Sequence, residues 1–127
     1  MCKIVIVPVA DWQPGKDCPT EYSAESDTIR VREDYDLTND HCGWLVHEQA
    51  HHDGCELGME NWSEGYPDNE IEQFAYERQF RYLQDKGVTF NDILCSPIFA
   101  SLRVCFMRHD ILWHYWQESP RISASFF

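Results

Sequence analysis

Three histidines and a glutamate fall within the six residues His47-Glu48-Gln49-Ala50-His51-His52. On an α-helix, residues four apart lie one above the other on nearly one face, so His47 and His51 could converge on a single ion. Zinc–nitrogen bonds of about 2.0–2.1 Å are compatible with that spacing. Glu48 falls roughly 100° round the helix, near enough to take a proton from a zinc-bound water but not to replace a ligand. Zinc lowers the pKa of such a water toward about 7, so these residues together would activate water for attack on a carbonyl. The spacing is HExxH, the zinc-hydrolase pattern. The bland alternative is a solvated helix whose histidines are incidental.

A catalytic zinc normally takes three protein ligands and a water. The third is sought on the next helical segment, which carries Glu70, Glu72 and Glu77. At 100° per residue Glu70, Glu77 and Arg81 share one face, whereas Glu72 points away from it. Glu77 has a competing role as an i,i+4 partner of Arg81, and Glu70 as a first-turn carboxylate answering the helix dipole. Glu70 is the favoured third ligand and Glu77 the second choice.

The elements that must position these residues are marked by local signals. Residues 3–10, "KIVIVPVA", read as a buried β-branched strand, with Pro8 suiting an edge or a strand end. Residues 13–19 are turn-rich, and "TIRVRE" at 28–33 alternates as a half-buried strand does. Thr38, Asn39 or Asp40 would N-cap the HExxH helix, with Gly54 as its C-terminal stop. Residues 58–69 form a polar loop containing Trp62 and Tyr66. Asn69 opens the second helix over residues 70–87, Glu72 completing a capping box and Gly87 ending it. Ser96-Pro97 introduces an apolar helix over residues 98–116. The expectation is one α+β domain spanning residues 1–127.

Composition narrows the class of partner. The chain has 127 residues, 43% of them hydrophobic, enough for one real core. Its net charge of −12 argues against binding nucleic acid or anionic lipid. No run of about 18 apolar residues offers a membrane span. The six cysteines form no CxxC pair. With no secretory signal before them, they read as reduced residues of a cytoplasmic protein.

"HEQAH" followed by "NEIEQFA" at 69–75 resembles the gluzincin pattern of thermolysin-like peptidases, in which an Asn-Glu pair on a later helix supplies the third ligand. Glu70, Phe74 and Ala75 are also similar to the corresponding residues of small prokaryotic and phage zincin domains that cleave repressors. The likeness covers roughly residues 28–85. It implies a minimal zincin-like domain: a short sheet on the HExxH helix, a ligand-bearing second helix and an apolar C-terminal helix. By that likeness His47, His51 and Glu70 bind Zn2+, Glu48 is the general base, and the substrate is a peptide or protein. Two departures bear on the substrate: the chain is too short for a two-lobed enzyme, and "YERQFRYL" replaces the continuation found in repressor-cleaving domains. The alternative is a catalytically silent zincin-fold interaction or regulatory protein with structural zinc.

Other residues are assigned lesser roles. His52 suits a helix-end or supporting position, His41 a solvated one, and His109 and His114 partly buried structural ones. These two histidines, Tyr66 and Tyr76 are candidates to stabilise an oxyanion. Strand 28–33 is a candidate edge for an extended peptide. Trp44, Trp62, Trp113 and Trp116 read as core or interface anchors, and Phe126-Phe127 as a frayed end.

Overall fold

The computed structural model describes residues 2–13, 16–60 and 69–118. The chain is α+β. Strands β1 (Lys3–Val7), β2 (Thr20–Ser23) and β3 (Thr28–Arg32) form one sheet in the order β1-β3-β2. β1 runs parallel to β3 and β2 antiparallel to it. The helices are α1 (Trp44–Glu56), α2 (Glu70–Asp85), α3 (Phe90–Cys95), α4 (Ala100–Arg108) and α5 (Ile111–Glu118). Among the described residues, no helix is long and apolar enough to cross a membrane. Trp62, Tyr66, Phe126 and Phe127 lie outside the described residues.

Alternation in β3 is as its sequence dictates: Ile29 and Val31 are fully buried, while Arg30 points outward to Glu21 of β2. The sheet order corrects two expectations. β3 is the central strand, with both edges already paired, so it cannot take up a peptide. β1 is not buried. It is an outer strand whose one strand neighbour among the described residues is β3, and Ile4, Val5 and Ile6 are exposed. The edge strand against α1 is β2, a four-residue element within a stretch that carries no strong strand signal.

The entry to α1 is held by a polar cluster. Asp40 accepts from the backbone N–H groups of Leu45 (2.9 Å) and Val46 (3.2 Å), satisfying first-turn donors that the helix cannot pair itself. The Tyr35 hydroxyl donates to the same carboxylate and accepts from the N–H of Trp44. Of the three capping candidates, Asp40 performs the task, although Gly43, at φ 74°, is the residue flanking the helix.

Gly54 does not stop α1. The helix runs on to Glu56, and Gly58, at φ 93°, follows the turn. A Cβ on Gly54 would lie 3.0 Å from Ile71 Cγ1 and 3.3 Å from Met59 Sδ, and one on Gly43 would lie 3.0 Å from Gln79 Cγ. The two glycines thus let α2 approach α1 closely at both ends of their contact. A buried stripe on α2, including Ile71, Ala75, Phe80 and Leu83, faces inward. Burying each large side chain of this set contributes about 1.5–3 kcal/mol before entropy is counted.

Asn69 caps α2 as expected, accepting from Ile71 N at 3.0 Å, and Gly87 follows its end at φ 85°. The apolar segment 98–116 is not one helix. Pro97–Phe99 form a 3-10 turn, and α4 ends at His109, whose extended backbone (φ −137°, ψ 100°) separates it from α5. Met107 and Trp113 are exposed on these short helices, so the segment is only half buried; α5 closes the core by setting Trp116 edge-on to Phe80, ring centroids 5.4 Å apart.

Candidate metal centre

His47 and His51, one turn apart on α1, are both buried and face α2, with ring centroids 5.1 Å apart. The carboxylate that meets them is Glu72. Its Oε1 lies 3.4 Å from His47 Nε2 and in direct contact with His51 Nε2. The three residues each offer a ligand atom within 4.8 Å of the others. Glu72 is 6% exposed, so its charge has no bulk water to answer it. Burial opposes ionisation of Glu72, but hydrogen bonding and the charges of His47 and His51 outweigh it and hold the carboxyl well below its usual range.

The expected third ligand, Glu70, is not in this group. It is exposed in the first turn of α2, where a carboxylate answers the helix dipole. Nor is Glu77, which is half-buried on another side of α2. Glu72 does not complete a capping box with Asn69, because its carboxylate is turned to the imidazoles. The helical-wheel expectation failed on one point: it followed the charged face of α2, and a ligand for a buried pair must lie on the face that α2 buries.

Gln79 had no role assigned from sequence, yet it fixes the chemistry of His47. Gln79 is fully buried, and its amide lies 2.9 Å from the Cys42 carbonyl and 2.9 Å from His47 Nδ1. A carbonyl oxygen only accepts, so the amide nitrogen faces Cys42 and Oε1 faces the ring. His47 therefore donates from Nδ1, and in its neutral form presents a lone pair at Nε2. That lone pair faces a Glu72 oxygen, another acceptor. A proton on Nε2 or a metal cation between the two resolves the conflict, and an outer partner on the distal ring nitrogen is the usual support for a metal-binding histidine. The donor set fits zinc: two imidazoles and one carboxylate leave a fourth position open.

Glu48 is buried beside this group, its Oε2 accepting from Thr20 Oγ1 of β2 at 2.8 Å. Together with His47, His51 and Glu72 it lines a cleft of about 90 Å³ between β2 and the two helices, with Lys16 and Tyr22 on its β2 side. Lys16 (2.6 Å) and Arg30 (2.5 Å) both pair with Glu21. Tyr76 also lines the cleft, its ring set edge-on to His47 at 4.4 Å. Burial, with smaller contributions from nearby thiols and carboxylates, pushes its phenol well up, so Tyr76 stays protonated.

The remaining histidines are dispersed. His52 pairs with Asp27, His41 is half-buried with its ring 5.1 Å from that of Tyr35, His109 is half-buried and His114 is exposed. Trp44 is a core anchor, its indole donating to Ser101 Oγ at 2.9 Å. All six cysteines carry free thiols, with Cys42 and Cys105 buried and Cys95 exposed.

No protein-family model matches this chain, and the searches of curated proteins and of solved structures likewise found no match.

Proposed function

We propose that this protein is a zinc-dependent metallopeptidase of minimal zincin type, with His47, His51 and Glu72 as metal ligands and Glu48 as general base. The observation that carries the reading is the convergence of three buried ligand-type side chains, with a fourth, base-type carboxylate on the same cleft. A structural zinc needs no such base. Zinc, when bound, supplies Lewis acidity and makes a water acidic enough to lose a proton near neutral pH.

The chain's own residues do the rest. Gln79 holds His47 in the tautomer that points Nε2 at the centre. Thr20 engages Oε2 of Glu48, which leaves Oε1 to accept the proton and later pass it to the leaving amine. β2 is the sheet edge beside the cleft, so an extended peptide would lie along it by strand addition. The acidic surface favours substrates carrying positive charge.

The test is hydrolysis of a peptide library by the purified protein. Wild type should cleave, while chelation and Glu48→Gln should each abolish cleavage. Cleavage that survives both would contradict the reading.

A further inference from the structure

Beyond the first group, a second cluster of ligand-type side chains lies where β1, the β2–β3 turn and α1 meet. Cys2 precedes β1, Asp27 ends the turn and His52 sits on α1. They bring one thiol, one carboxylate oxygen and one ring nitrogen within 4.8 Å of one another. We propose that Cys2, Asp27 and His52 form a second divalent-cation site, of zinc type, separate from the His47–His51–Glu72 centre.

Each ligand comes from a different part of the chain, so the tertiary fold assembles the group. All three residues are half-buried. His52 has a carboxylate against both ring nitrogens: Nδ1 lies 2.7 Å from Asp27 Oδ1, and Nε2 lies 3.4 Å from Glu56 Oε1. In the metal-free protein the 2.7 Å contact is a hydrogen bond. A divalent cation would take the place of the shared proton, with the Cys2 thiol beside it as the third donor. Outer support is present as well, since the Tyr22 hydroxyl donates to Asp27 Oδ1 at 2.6 Å.

The donor types select the metal. A thiolate with an imidazole and a carboxylate suits zinc, whereas magnesium and calcium take oxygen alone. Neighbouring nitrogen and oxygen ligands around tetrahedral zinc lie roughly 3.3 Å apart, so the 2.7 Å His52–Asp27 contact opens by about 0.6 Å as the ion enters. A water completes the four. The backbone prepares the site too: Lys3 N donates to the Asp27 carbonyl at 3.1 Å, tying the turn to the strand that Cys2 precedes. A cation here would clamp the start of β1 and the β2–β3 turn to α1. Tyr22, on the strand that lines the catalytic cleft, has its ring 6.3 Å from those of both His51 and His52.

Cobalt(II) titration of the full chain separates the two sites, with thiols kept reduced and any tag placed at the C-terminus. The His47–His51–Glu72 group contains no sulfur, so a near-ultraviolet sulfur-to-cobalt charge-transfer band reports a thiolate ligand, and its dependence on Cys2 assigns it to the second group. We expect the band in wild type, in His47→Ala and in Cys55→Ser, and its loss in Cys2→Ser. Asp27→Asn should raise the cobalt needed for half-maximal intensity by roughly tenfold or more. A wild type without the band at saturating cobalt would mean a plain His52–Asp27 ion pair and would overturn the proposal. A band that persists in Cys2→Ser or vanishes in Cys55→Ser would overturn it equally. Should Cys2→Ser not fold, Asp27→Asn decides, and an unchanged half-saturation counts against the site. The band in His47→Ala is independent of the peptidase reading, so either idea can fail alone.

Discussion

Two faces of α2 carry carboxylates two residues apart, Glu70 and Glu72, that meet opposite surroundings. Glu70 stands exposed at the helix start, where its charge is screened and answers the helix dipole. Glu72 lies on the buried face with Tyr76 and Gln79, and among the described residues two imidazoles answer its charge. Glu21, on the rim of the cleft, is intermediate, half-shielded between Lys16 and Arg30. Residue type is the same in all three cases. What differs is the solvent that each has lost, and that decides which one can act as a ligand.

The strongest attack on this comparison is a pair of substitutions. Glu72→Gln should weaken zinc binding by more than about 100-fold, because loss of an outer partner alone already costs 10–100-fold. Glu70→Gln should leave zinc affinity unchanged, as read by competition with a chromophoric chelator. Equal effects from the two would erase the distinction between the faces.

Gln79→Leu comes next. It strands the Cys42 carbonyl and frees the His47 tautomer, so we expect zinc affinity to fall about 10–100-fold. Stability of the metal-free protein should drop by about 1–3 kcal/mol in urea melts. Gly54→Ala should cost about 1 kcal/mol. Its added methyl meets the buried, stiff Ile71 and Met59 Sδ, an overpacking cost of about 1–3 kcal/mol set against about 1 kcal/mol of gained helix propensity. Zinc affinity should fall with it, since this contact sets how closely α2 approaches.

The smallest effect belongs to the rim. Burial disfavours the charged form of Glu21, yet Lys16 and Arg30 prevail and lower its pKa from an ordinary 4.5. A depressed folded-state pKa means that the pair stabilises the fold above about pH 4.5 and that the contribution fades as pH falls through the lower folded value. Glu21→Gln should therefore cost less than about 1 kcal/mol at pH 7 and nothing in strong acid, measured by melts across pH.

Much of this arrangement can be read from the sequence, and each failure has its own physical cause. The HExxH spacing and the Asn69 cap are local patterns, and His47 and His51 do meet on one face. The charged face of α2 points to Glu70, whereas a carboxylate that meets two buried imidazoles must lie on the face of Ile71, Ala75 and Phe80. Glu72, Tyr76 and Gln79, polar groups recurring at four and three residues beside that apolar stripe, were the available signal. β2 escaped notice because four residues give too little alternation, and Thr20 with it. Gly54 read as a stop because a glycine that ends a helix and one that admits a neighbouring helix look alike until the neighbour is known. The apolar run at 98–116 conceals a break at His109, beyond which α5 packs against α2.

The most direct measurement is an anomalous difference map at the zinc edge from crystals of the wild-type protein grown with zinc. The account predicts a peak about 2.0–2.2 Å from His47 Nε2, His51 Nε2 and a Glu72 oxygen, with Glu48 and Glu70 unbound. Density absent between the two imidazoles, or a peak held by Glu70 in place of Glu72, would contradict it.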